Sequence, residues 1–94
     1  MQDLSPDESE LRGSWLTRSG RVVKDEVTER IEWLLLNRLQ RLASDASGWD
    51  TLLRSRTDGR LWELVYPHSE MHGGGPPLLR VMSPEAARIK YGRP

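Results

Sequence analysis

The chain has 94 residues, 14 basic and 14 acidic side chains, and a formal net charge of zero. A chain this short makes one small domain, and its neutrality argues against nonspecific binding to nucleic acid or to an anionic membrane. It has no cysteine, which removes any disulfide or thiolate–metal framework, and no apolar run nears the ~20 residues of a membrane span.

The opening stretch, MQDLSPDESE, is acidic and has no apolar leader core, so the cytoplasm is the expected compartment. SPDESELRG reads as a short helix: Ser5 can cap it, Pro6 suits the first helical position, Glu8 completes a capping box and Gly13 can stop it. SWLTRSGRVV reads as two short extended pieces around a tight turn at Ser19–Gly20.

DEVTERIEWLLLN carries the clearest helical signal. Asp25 can cap it, and Val27, Ile31, Leu34 and Leu35 fall on one stripe. Trp33 and Leu36 lie well off that stripe, at about 150° from its centre. Covering of Trp33 by another element is the expectation, with a partner contact as the alternative. Residues 38–44 are ambiguous: helix propensity continues through Leu39 and Leu42, yet Asn37 could end the helix and start a strand.

Two apolar runs, 49–54 and 60–66, flank RTDG, whose residues favour a turn. An antiparallel hairpin follows, with Trp62, Leu64 and Tyr66 on one face and Leu61, Glu63 and Val65 on the other. Glu63 is expected to be at least partly exposed. LLRVM is a further strand. SPEAARIKYG closes the chain as a helix with Ser83 as cap, Pro84 at its first position and Gly92 past its end.

The stretch HSEMHGGGPP holds the residues with most chemical potential. His68, Glu70 and His72 alternate and would share one side of an extended segment. Their spacing is not the helical H-E-x-x-H zinc signature, and no third histidine or cysteine exists to complete a tetrahedral site. No metal or other cofactor is expected. No G-x-S-x-G elbow appears, and GGG lacks the Lys-Ser/Thr of a phosphate loop, so no enzymatic activity is expected. Arg54, Arg56 and Arg60 near the hairpin tip are interleaved with Asp58 and Glu63 and read as a solvated tip. The glycines permit positive φ and close backbone approach, and the prolines enforce a stiff extended exit. The stretch therefore reads as a shaped loop.

LRGSW, RIEW, SGWDTL, DGRLWEL, YPHSEMHGGGPP and SPEAARIKYG, in this order, resemble the immunity protein 27 family of bacterial polymorphic toxin systems. The resemblance runs from about Leu4 to Gly92, and SEMHGGGPP with its preceding YP is its most specific part. It implies a non-enzymatic protein that binds and neutralises a toxin encoded beside it. It also implies an α+β fold and a strand at 38–44. Glu70 and His72 belong to the family's pattern, whereas position 68 need not be histidine.

The expected architecture is therefore one α+β domain: a main helix on an antiparallel sheet of about four strands, with short N- and C-terminal helices. The expected partner is a cognate toxin protein, rather than nucleic acid or membrane. The candidate partner-binding residues are Asp45, Asp50, Glu63, Glu70, His72, Gly73, Gly74 and Gly75. Asp45 and Asp50 also have a local reading, as a turn cap and as a backbone acceptor within SGWD. The alternative function is a small protein-interaction or metal-responsive module using the His68–Glu70–His72 edge.

Overall fold

The computed structural model describes residues 1–71 and 74–92. The elements in chain order are β1 (Glu10–Arg12), β2 (Trp15–Arg18), β3 (Arg21–Lys24), α1 (Glu26–Asn37), β4 (Leu39–Ser44), β5 (Thr51–Ser55), β6 (Leu61–Val65), β7 (Leu78–Met82) and α2 (Pro84–Tyr91). One sheet has five strands in the order β1-β7-β6-β5-β4, and β2 and β3 form a separate two-stranded ribbon. All the pairings are antiparallel. The α+β class is as expected; the sheet has one strand more than expected, and the ribbon stands apart from it.

The extra strand replaces the N-terminal helix expected from SPDESELRG. Half of the capping box does form, since the Ser5 amide donates to Glu8 Oε1 at 2.9 Å. It closes an isolated turn, and no helix follows it. Glu8 then pairs with Arg30 of α1 at 2.7 Å, and Glu10–Arg12 pair with Leu78–Arg80. Tertiary partners outcompete a helix that a few residues could barely nucleate.

The main helix forms as its periodicity predicts. Asp25 caps it by accepting from the Thr28 amide, and Ile31 and Leu34 are fully buried. Val27 and Leu35, the other stripe residues, are partly buried against the same core. The helix stops at Asn37 and the chain passes into β4 within one residue, so 38–44 takes the strand alternative. A register shift between Arg41 and Ala43 bends this edge strand. Leu36 is 86% exposed. Trp33 is covered only in part: it packs at the margin of the core, and the Arg38 guanidinium lies 5.1 Å from its ring centre.

Each face of the sheet carries a helix. On one face α1 packs with Leu39, Leu53, Trp62, Leu64 and Leu79. On the other, Ala87 and Tyr91 of α2 pack with Leu52, Leu61 and Met82. The alternation read from β6 is correct, but both of its sides are covered, and all five of its residues are buried. This overturns the expected exposure of Glu63, whose side chain is 1% exposed. No helix among the described residues is long and apolar enough to cross a membrane.

Candidate functional site

Antiparallel pairing collects three connections at one end of the sheet. Thr51 faces Leu64 and Val65 faces Leu78, so the 45–50 loop and the 66–77 segment emerge side by side. Arg12 faces Leu78, which brings the exit of β1 to the same end. There the Gly13 amide donates to the Pro77 carbonyl at 2.8 Å. SGWD and YPHSEMHGGGPP, separate in sequence, thus become neighbours.

The 45–50 loop is built around Asp45. Its Oδ1 accepts from the Ser47 hydroxyl at 2.7 Å and from the amides of Gly48 and Asp50 at 3.1 and 3.3 Å. The Asp45 amide donates to the Asp50 carbonyl at 3.0 Å. The hydrogen bond from Ser47 is the main cause holding the Asp45 carboxyl below its ordinary pKa. The local reading of Asp45 as a turn cap is therefore correct. Asp50 is fixed differently from its local reading: its carboxylate meets Lys90 Nζ at 2.6 Å.

This loop presents Trp49, 49% exposed, edge-on to Tyr66 with ring centres 5.7 Å apart. The indole also occupies the space above Gly74: a Cβ added there would lie 2.8 Å from the Trp49 ring. Gly74 has φ +89°, and Gly75, at φ +76°, abuts the His68 carbonyl. Both positions combine a backbone conformation that favours glycine with contacts too close for a side chain. The Met71 amide donates to the His68 carbonyl and the Gly74 amide to the Met71 carbonyl, each at 2.9 Å.

Two grooves flank the Gly–Pro stretch, and Trp15 and Pro77 line both. One, of about 290 Å³, is also walled by Arg12, His68 and Met71. The other, of about 260 Å³, opens towards α1 and is lined by Lys24, Glu32, Tyr66 and Gly75. Lys24 and Glu32 form an ion pair of 2.7 Å at its rim. Burial, with a smaller contribution from the Glu32 charge, raises the Tyr66 pKa. The surface therefore mixes aromatic side chains and prolines with charged groups such as Arg12, Lys24 and Glu32.

Of the candidate set, Gly74 and Gly75 line this end of the sheet, Asp45 and Asp50 brace it, and Glu70 is exposed on the turn below. His68 Nδ1 lies 3.7 Å from Glu70 Oε1. His72 and Gly73 lie outside the described residues, and with them the third member of the His-Glu-His edge. Among the described residues no group of potential ligands could hold a metal ion.

Glu63 stands apart, inside the α2 face. It accepts from Arg80 Nη2 at 2.9 Å and from the Tyr91 hydroxyl at 2.7 Å, and pairs with Lys90 Nζ at 2.7 Å. Burial alone would raise its pKa, but Lys90, Tyr91 and Arg80 outweigh burial and hold it below the ordinary value. Burial and the Glu63 hydrogen bond both push the Tyr91 pKa far upward.

Trp49, Tyr66 and Lys90 did not enter the sequence-derived site. The available signal for Trp49 was its place in SGWD, a loop too polar to need a tryptophan for packing. Lys90 had a weaker signal, as one of only two lysines in a chain rich in arginine.

A family model for immunity protein 27 matches residues 17–83. Comparisons with curated proteins and with solved structures gave no match. The matched span runs from the β2–β3 ribbon to the end of β7 and contains both loops that meet at Trp49 and Gly74. The chain belongs to the immunity protein 27 family.

Proposed function

We propose that this protein neutralises a cognate bacterial polymorphic toxin by direct, stoichiometric binding in the cytoplasm, without catalysis. The family supports the general role. The observation that carries the choice of surface is Trp49, half-exposed yet fixed by Tyr66 and the bare backbone of Gly74. A large aromatic side chain already held in one conformation loses little entropy on binding, and such residues dominate interface energies. Exposed Glu70 is proposed for the rim of the contact, with Gly74 and Gly75 shaping the backbone beneath it; His72 and Gly73 remain candidates from the sequence alone. Asp45 and Asp50 serve it from behind, because their carboxylates already have partners within the chain, and Glu63, buried under α2, lies outside it.

The test begins with capture of the partner from the native host by tagged protein. The captured protein is then produced alone, and its toxicity is measured with and without this chain. A one-to-one complex that abolishes toxicity is the expected result. Trp49→Ala should accelerate dissociation at least tenfold. Glu85→Ala, on the exposed side of α2, should leave it unchanged. A captured protein that is not toxic would overturn the function. A toxin bound equally well by Trp49→Ala and Glu70→Ala would overturn the surface and leave the function standing.

A further inference from the structure

Lys90 touches two carboxylates that belong to different parts of the molecule. Its Nζ lies 2.6 Å from Asp50 Oδ2 and 2.7 Å from Glu63 Oε2. Glu63 is in the middle of β6, beneath α2. Asp50 ends the loop that carries Trp49 and has its backbone tied to Asp45. One ammonium group therefore joins the sheet interior, the C-terminal helix and the loop at the end of the sheet. Tyr91 and Arg80 also hold Glu63, so this carboxylate keeps cationic and hydrogen-bonding partners without Lys90. Among the described residues, Asp50 has only Lys90 as an ionic partner.

We infer that Lys90 is a positioning residue for the Trp49–Gly74 surface, fixing the 45–50 loop through Asp50 so that the indole stays seated over Gly74. The chain of contacts is short. Lys90 holds Asp50, the neighbouring Trp49 extends its ring over Gly74, and the Gly74 amide donates to the Met71 carbonyl. Without the ammonium group, two carboxylates face one another across a partly desolvated gap, and their repulsion drives the Asp50 end of the loop outward. The α2 helix is then a brace for that surface, acting through the Lys90–Asp50 ion pair. The value of that brace to a partner rests on the binding surface proposed above, but the geometry can be tested without a partner.

The experiment uses the whole chain with its tryptophans replaced biosynthetically by 5-fluorotryptophan. The chain has 4 tryptophans, and Trp49→Phe identifies the relevant fluorine resonance. Lys90→Met and, independently, Asp50→Asn should shift and broaden the Trp49 resonance and leave that of buried Trp62 in place. Amide exchange at Gly74 should quicken at least tenfold in both. Lys90→Arg, which keeps the charge, should restore most of the wild-type spectrum. Glu63→Gln should lower the melting temperature and leave Trp49 where it is. A Trp49 resonance unmoved in both Lys90→Met and Asp50→Asn would overturn the assignment. So would a common shift of all the indoles, which would reveal a general loss of packing. Movement of Trp49 in Glu63→Gln would overturn it too, by tracing the effect to the buried carboxylate.

Discussion

The two faces of the five-stranded sheet are covered by helices, yet they are held by different physics. Beneath α1 lies an apolar cluster of Ile31, Leu34, Leu53, Trp62, Leu64 and Leu79. Beneath α2 the apolar cluster is small, with Leu52, Leu61 and Ala87 at its centre, and a fully buried carboxylate sits among cationic and phenolic partners. The apolar face contains the unsatisfied group: Trp62 Nε1 is buried and has no acceptor among the described residues. The polar face leaves neither oxygen of Glu63 unbonded. Burying a charge demands that its partners be arranged completely, whereas a wide apolar face tolerates one orphan donor. The α1 side should therefore respond to lost volume, and the α2 side to lost charge and to pH.

The largest effect expected from breaking either side is at Trp62, which is fully buried under α1. Trp62→Ala should destabilise the fold by about 3–5 kcal/mol, read from denaturant unfolding, through lost area and an unfilled cavity. Trp62→Phe should cost much less, since it removes the orphan donor along with part of the ring. A phenylalanine variant as unstable as the alanine variant would show that the indole nitrogen has an acceptor.

Glu63→Ala comes next, at about 2–4 kcal/mol. That is at or below the usual cost of breaking a buried pair, because Arg80 and Lys90 are partly exposed and can rehydrate. Its pH signature distinguishes it from Trp62→Ala. Its pKa in the folded protein is lower than the ordinary value of 4.5, so its stabilisation is fully present above pH 4.5. It fades as pH falls through the folded value. Glu8, held at about 2 chiefly by Arg30, adds a second contribution, lost as pH falls from 4.5 towards that value. The stability difference between wild type and Glu63→Gln should therefore shrink on acidification, while that for Trp62→Ala should not. Parallel pH profiles for both variants would contradict this division between the faces.

Gly74→Ala should cost about 1–2 kcal/mol, since alanine at φ +89° is strained and its Cβ collides with the Trp49 ring. Most of that strain can be relieved by moving the indole. Trp49 emission should therefore change more than the melting temperature does. Leu36→Ser should be the smallest effect, within about 0.5 kcal/mol in thermal unfolding, because Leu36 is 86% exposed and touches neither core. A larger loss would mean that this side chain is buried in an assembly.

Legibility from the sequence followed the range of the interactions involved. The α1 helix was legible because cap and stripe are encoded within a dozen residues. The Ser19–Gly20 turn was legible for the same reason, and both residues have positive φ as a tight hairpin turn requires. The N-terminal segment was misread because Ser5 and Glu8 supply a local helix signal, whereas the decisive partners, Arg30 and β7, are distant in sequence. Glu63 was placed on the correct face but at the wrong depth, since nothing near β6 reveals that α2 returns to cover it. The glycine stretch was legible as a shaped loop. Its contact with Trp49 was not, because that needs the register of β5 against β6.

The pairing of the first sheet strand with the last has a consequence for how the chain comes into being. Glu10 faces Arg80, so β1 finds its partner only after α1 and the five intervening strands have been synthesised. The β4–β5–β6 meander can form earlier from neighbouring segments, whereas β1 must wait and then close a loop spanning most of the chain. Closing so wide a loop is entropically unfavourable and slow relative to hairpin formation. The edge of β7 stays open in the interval, offering its unpaired backbone to any other extended segment nearby. Completion of the native sheet is thus the step at which this protein is most exposed to mispairing, and β1 is the segment whose arrival ends that exposure.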